Sequence, residues 1–199
     1  MKRDARARSL GREFYARSAL EVAPELLNKV LVGPDSRAGR IVEVEAYRGA
    51  DDPGSHGYRG RTKRNATMFG PPGDLYVYFT YGMHWCANVV AETDGVAAAV
   101  LLRALTPLQG VDAMYAARGP AARRDRDLCS GPAKLTQALG IDGDLDGADL
   151  VTGDRCVTIL DDGQPPPEDP VVTTRIGLTN GADLPWRFYV EGSSDLSRR

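Results

Sequence analysis

Apolar and polar side chains alternate over Arg40-Ile-Val-Glu-Val-Glu-Ala-Tyr47. A period of two marks a strand, in which side chains two apart share a face. Ile41, Glu43, Glu45 and Tyr47 would then line one face, and Val42, Val44 and Ala46 the other. The small apolar face suits a core. The face with two carboxylates needs partners or a task, because carboxylates are seldom buried unpaired. Residues 75–81, Leu-Tyr-Val-Tyr-Phe-Thr-Tyr, form a second strand pattern. Gly82-Met83-His84 turns it back into 85–91 as a hairpin. Residues 30–32 enter the first strand through the turn Gly33-Pro34-Asp35-Ser36, and 97–105 form the last strand of this block.

Helical patterns cover residues 9–29, with Ser18 as an N-cap, Glu21 as its capping-box partner and Pro24 as a break. Residues 107–117 and 132–139 read as further helices, 142–153 as acidic loop, and 164–170 as a rigid proline-rich turn. Short strands at 175–178 and 186–190 would rejoin the sheet. Residues 48–74 are irregular and rich in Gly, Pro, Asp and Arg, a loop length that in a compact domain signals function or disorder. The expected fold is mixed α+β: one domain over 1–199, a curved antiparallel sheet flanked by helices, a protruding hairpin, and flexible termini at 1–8 and 193–199.

The chain's 199 residues, 42% of them hydrophobic, suffice for one sizeable core. No apolar run reaches the roughly 18 residues of a membrane span. The basic start is followed by no apolar stretch resembling a secretion signal, so the chain reads as cytoplasmic. Three scattered cysteines without a CxxC pair, and two histidines, point away from a zinc site or disulfide framework. No metal or cofactor is expected, although an all-oxygen magnesium site stays open on composition. The net charge of −2 conceals an asymmetry: residues 1–140 hold 20 basic and 15 acidic side chains, residues 141–199 hold 5 and 12. Basic clusters at 2–17, 59–64 and 118–126 could meet phosphates, because local surfaces rather than total charge set such contacts.

Several residues could carry chemistry. A carboxylate beside aromatic rings in a half-buried site is a candidate general base, and Glu43 and Glu45 are rivals for that role. Tyr76, Tyr78 and Tyr81 crowd one hairpin beside Phe79 and Trp85; such rings either build a sheet core or stack on nucleobases. A ring at a hairpin tip could also wedge into a duplex. His56 in the irregular loop could donate a hydrogen bond or titrate near neutrality. Asn88 could recognise or obstruct a purine edge, or bond to backbone as an ordinary strand asparagine does.

Together these segments resemble the alkyladenine (3-methylpurine) DNA glycosylases. The resemblance rests on Arg40–Tyr47, Ser55-His56, Arg64-Asn65-Ala-Thr-Met-Phe69, Pro72-Gly73-Asp-Leu-Tyr-Val-Tyr78, Tyr81-Gly-Met83, Asn88, Val100-Leu-Leu-Arg-Ala104, Cys129-Ser-Gly-Pro-Ala-Lys-Leu135 and Arg187-Phe-Tyr189. They occur in order from about Arg12 to Val190. The resemblance implies a monofunctional enzyme, without metal or Schiff-base lysine, that hydrolyses the N-glycosidic bond of damaged purines in double-stranded DNA after flipping the nucleotide. It implies that Glu45 activates water beside Arg103, and that Tyr47, His56 and Tyr78 stack on the base. It further implies that Asn88 disfavours guanine, that Tyr81 intercalates, and that the backbone of Ile176 helps hold the water. Arg59, Arg61, Lys63, Arg64 and Lys134 are candidate backbone contacts, and the protein is expected to act as a monomer. The loop between His56 and Asn65 is one residue shorter than in relatives, His84 replaces a frequent aromatic, and the tail after Gly192 lacks the family's frequent apolar residues. Two other classes fit the residues alone: a non-catalytic lesion- or RNA-binding module, and a hydrolase or transferase acting on small nucleosides or formylated substrates.

Overall fold

The computed structural model describes residues 7–198. Strands β1 (Arg8–Ser9), β2 (Val30–Val32), β3 (Ala38–Arg48), β4 (Asp74–Thr80), β5 (His84–Ala91), β6 (Ala98–Gln109), β7 (Ala148–Asp149), β8 (Thr158–Asp161), β9 (Val171–Thr173) and β10 (Arg187–Tyr189) form a single curled sheet. All its pairings are antiparallel, in the order β1-β8-β2-β3-β6-β5-β4-β7. The long β3 shares its other edge between two partners: β2 pairs with Ala38–Arg40, and β10 with Glu43–Glu45 and, on its far side, with β9. Helices α1 (Arg12–Tyr15), α2 (Ala19–Leu26), α3 (Val111–Arg118), α4 (Arg126–Cys129) and α5 (Pro132–Leu139) complete the mixed α+β domain.

The sheet's two faces differ in what covers them. One face, with Ile41, Val44, Ala46, Leu75, Val77, Ala87, Val89, Val100 and Leu102, packs on α2 and α5 in the main apolar core. The opposite face carries Tyr47, Tyr76, Tyr78 and Ala99, covered by Met68 and Phe69 of the irregular loop. Strand alternation therefore sorts β4 into core residues and site residues, as its sequence predicts.

In β3 the alternation breaks. The register slips between Ile41 and Glu43, and slips back between Glu43 and Val44. Two opposed bulges result, one in β3 and one in β6, and bulges re-aim side chains and recur beside active sites. Ile41 therefore joins Val44 and Ala46 in the main core, while Val42 packs on Ala104 and Leu196 outside it. This corrects the face assignment of both Ile41 and Val42.

Other expectations also change. Ser18 caps α2, but its hydroxyl accepts from Leu20 N–H, and Pro24 lies inside the helix instead of breaking it. Its missing N–H takes one bond out of the helix ladder, and the helix ends two residues later. Residues 107–109 extend β6 instead of opening a helix, and α3 begins at Val111. Pro107 pairs opposite Gly39, and a proline disfavours helical backbone at the residue before it. Residues 175–178 form no strand. Within the C-terminal stretch 193–199, Asp195 and Leu196 are buried, and Ser197 bonds to Glu43. Leu196 is the apolar anchor of this tail, packed with Val42 and Ala104. At the other end Arg8 pairs with Asp161, while residues 1–6 lie outside the described residues. Among the described residues, no helix is long and apolar enough to cross a membrane.

Candidate active site

The Glu45 side chain is fully buried, and its two oxygens are held from three sides. Oε1 accepts from the backbone N–H of Ile176 at 2.7 Å. Oε2 accepts from the Tyr47 hydroxyl at 2.9 Å and lies 3.1 Å from Arg103 Nη1. Ile176 thus enters through its backbone, contacting the carboxylate directly. The loop that carries it is pinned by Arg175, whose buried guanidinium binds both oxygens of Asp52 (2.5 and 2.7 Å) and the carbonyls of Ala46 and Gly181. The same guanidinium lies over the rings of Tyr47 and Trp186, at 4.6 and 5.1 Å. These are cation–π distances, and they lock the Tyr47 ring from one side.

Beside this carboxylate a cavity of about 70 Å³ opens between Tyr47, Gly54, His56, Met68, Tyr76, Tyr78, Asn88 and Leu178. Four of the predicted residues (Tyr47, His56, Tyr78 and Asn88) therefore line one space. Tyr76, one of the hairpin rings that could stack on a base or build a core, joins them, and so does Met68, which carries no role in the sequence reading. Glu45 is not itself in the lining: the cavity ends on Tyr47, whose hydroxyl caps the carboxylate. His56 packs edge-on to Tyr78, with ring centroids 4.5 Å apart, and its Nδ1 lies 3.1 Å from the Tyr76 hydroxyl. Its carbonyl accepts from Asn65 Nδ2 at 2.8 Å, and Asn65 also bonds to Gly60 and Thr62, so one buried amide organises the loop from His56 to Asn65. Asn88 donates to the Tyr76 carbonyl at 3.2 Å, a backbone bond made from the cavity wall.

Electrostatics keep these groups neutral at physiological pH. Burial, reinforced by the adjacent Glu45 charge, pushes the Tyr47 phenol far above its ordinary range. Burial, aided by Cys86, does the same for Tyr78, and pushes Tyr76 up to about 12. All three phenols remain protonated donors. His56 is exposed as a residue, yet desolvation of its ring, with the Arg64 charge, holds its imidazole below the usual value.

Glu43, the rival carboxylate, is also fully buried and more heavily engaged. Its Oε1 accepts from Arg103 Nε (3.0 Å), Arg187 Nε (2.8 Å) and Ser197 Oγ (2.7 Å), and its Oε2 from Ser197 N–H (2.6 Å). The paired bulges bring Glu43, Arg103 and Ala104 to the side where Val42 packs. Arg187 and Ser197 carry no local sequence signal for this role, because only long-range folding brings them to Glu43.

The hairpin tip has a different character. Tyr81 is 83% exposed and Met83 67% exposed. Tyr81 and Gly82 both have positive φ, 50° and 68°, as a primed hairpin turn requires. Arg59, Arg61, Lys63 and Arg64 are exposed on the loop that forms the cavity rim. Arg64 donates to the Phe79 carbonyl at 3.0 Å and lies over Tyr78, which ties this loop to the hairpin. A shallow groove lined by Arg59, Thr62, Arg64 and Asn65 shares His56 and Tyr76 with the cavity. Lys134 sits on another element, in α5, and donates to Ser130 Oγ.

The methylpurine-DNA glycosylase family model matches residues 13–194. A protein of Burkholderia lata is 60% identical over 188 residues, covering 94% of this chain and 90% of its own length. Proteins of Carboxydothermus hydrogenoformans and Methanoculleus marisnigri are each 52% identical, covering 96% and 94% of this chain and 99% and 97% of their own lengths. All three carry the name "Putative 3-methyladenine DNA glycosylase". A match of this extent and identity shows that the chain belongs to the methylpurine-DNA glycosylase family.

Proposed function

We propose that this protein is a monofunctional DNA glycosylase that removes alkylated or deaminated purines from duplex DNA, using Glu45 to activate water. The observation that carries the proposal is the adjacency of a buried, arginine-paired carboxylate to a cavity walled by Tyr47, Tyr78 and His56, beside a hairpin that exposes Tyr81. A purine bond to the sugar is inaccessible within the stacked duplex, so the nucleotide must leave the stack, at a cost of a few kcal/mol. Tyr81, exposed at the hairpin tip, fills the vacancy in this proposal. A purine alkylated at N3 or N7 is cationic. It stacks favourably on neutral, electron-rich phenol faces and is already a good leaving group. Neutral lesions such as hypoxanthine need further help, best supplied by protonation of the departing base. Asn88 stands in the cavity wall, where its amide obstructs an exocyclic amino group.

In the chemical step the water oxygen bonds to C1′ while the C1′–N9 bond breaks and its electron pair leaves with the base. Glu45 accepts the water proton, and its charge stabilises the developing oxocarbenium ion. A positioned base of this kind contributes about 10²–10⁴-fold. The Tyr47 hydroxyl occupies one Glu45 oxygen in the free protein, so water gains that oxygen when the phenol gives up its bond. Glu43 suits this role poorly, because both its oxygens are consumed by Arg103, Arg187 and Ser197.

The exposed arginines and lysine of the cavity rim are suited to phosphates, which position a protein on DNA without reading sequence. The hydrolase acting on small nucleosides predicts no exposed wedge, and Tyr81 is one of the most exposed large side chains of the described residues. A panel of duplexes carrying 3-methyladenine, 7-methylguanine, hypoxanthine and ethenoadenine tests the proposal. Heat- or alkali-labile abasic sites at the lesions, without direct strand cleavage, are expected. Tight lesion binding with no abasic sites would make the protein a recognition module instead.

A further inference from the structure

Arg103 reaches Glu45 as part of a cluster that is closed by a distant stretch of chain. Its Nη1 faces Glu45 at 3.1 Å, its Nε binds Glu43 at 3.0 Å, and its Nη2 donates to Ser197 Oγ at 3.1 Å. A guanidinium is a rigid planar fork. Fixing Nε and Nη2 therefore fixes the direction in which Nη1 points. Ser197 also holds Glu43 itself, through both its hydroxyl and its backbone N–H. Arg187 supplies Glu43 with a second cation, which leaves Arg103 free to serve both carboxylates. Ser197 is itself anchored: Leu196 packs on Val42 and Ala104 at the paired bulges, and Asp195 accepts from Thr106 Oγ at 2.6 Å.

We infer that the segment Asp195–Ser197 is a positioning strap. It sets the orientation of Arg103, and through it the working geometry of Glu45, without touching the DNA lesion. Building on the glycosylase reading, the inference assigns a specific contribution to residues far in sequence from the site. Its signature is a loss confined to the chemical step. Misplacing a catalytic group by about 1 Å costs up to roughly 10²-fold in rate, whereas binding of the base depends on the rings of the cavity.

The test is single-turnover excision of 7-methylguanine from duplex DNA at saturating enzyme, with affinity for the same duplex and thermal stability measured alongside. Ser197→Ala removes the hydroxyl that bridges Arg103 and Glu43, and is expected to slow excision about tenfold. Ser197→Thr keeps that hydroxyl and is expected to recover most of the rate. A chain ending at Gly192 is expected to lose about 10²-fold; should it not fold, the two point variants decide. In the folded variants, DNA affinity should stay within about twofold of wild type. The inference is overturned by wild-type rates in Ser197→Ala, by a threonine variant no faster than the alanine one, or by affinity falling in step with rate. A wild-type protein that releases no base would remove the glycosylase reading itself, and the strap with it.

Discussion

The Tyr47 hydroxyl donates to Glu45 Oε2 across 2.9 Å, joining two residues that are two positions apart on one strand. The ring that lines the cavity is therefore also the cap on the carboxylate behind it. The two functions separate by mutation. Tyr47→Phe keeps the ring and frees Oε2, so excision of 7-methylguanine should stay within about tenfold of wild type. Tyr47→Ala removes the stacking surface and should weaken lesion binding by about 1–3 kcal/mol. Single-turnover rates and duplex affinities check both. A Phe variant as impaired as the Ala variant would mean that the phenol itself takes part in the reaction.

Tyr81 contributes little to the fold, since it is 83% exposed and holds a φ of 50° that is unfavourable for a residue with a Cβ. Tyr81→Gly should leave thermal stability equal or higher and still slow excision from duplex DNA by about tenfold or more. The deficit should shrink on single-stranded substrate, where no stack has to be held open. Equal losses on both substrates would argue against a wedge.

Asp74 offers a pH-dependent test of the fold beside β4. Burial, with the nearby Asp149 charge, raises its carboxyl from 3.8 to about 6. A raised acid is destabilising while ionised, so its unfavourable contribution is present above about pH 6 and fades as pH falls toward 3.8. Asp74→Asn should therefore stabilise the protein by about 1 kcal/mol at pH 7.5, and lose that advantage near pH 4. Thermal melts of both proteins across this range decide it. A variant less stable than wild type at pH 7.5 would show that the pairing with Arg12 dominates.

Arg59, Arg61 and Lys63 are exposed on the rim loop. Replacing all three by Gln should weaken duplex binding at low salt. It should also flatten the plot of log affinity against log salt by about 0.9 for each phosphate that the variant no longer neutralises. An unchanged slope would move the phosphate-binding groups elsewhere on the surface.

Much of this site was legible because strands announce their faces. The alternation in β3 and β4 places Glu45, Tyr47, Tyr76 and Tyr78 on common faces from the pattern alone. The paired bulges were not legible, since a one-residue slip leaves no mark in an apolar run such as Ile41-Val42. Arg175–Leu178 reads as a strand by composition, yet Arg175 is drawn to Asp52, and the Ile176 N–H goes to Glu45 instead of a ladder partner. Arg187 and Ser197 reach Glu43 from 144 and 154 positions away, which no local pattern records. Family resemblance supplied the expected roles of the site residues, and the geometry supplied the order in which they touch.

Two substitutions on one strand test the reading of this site most directly. Glu45→Gln and Glu43→Gln are compared by single-turnover excision of 7-methylguanine, with duplex affinity and melting measured on the same samples. Glu45→Gln should bind the lesion duplex as wild type does and lose about 10²–10⁴-fold in rate. Glu43→Gln leaves Arg187 without its buried counter-charge and Arg103 with Glu45 alone, and should lose about 3–5 kcal/mol of stability. Excision at the wild-type rate by a folded Glu45→Gln protein would contradict the assignment of Glu45 as the catalytic base.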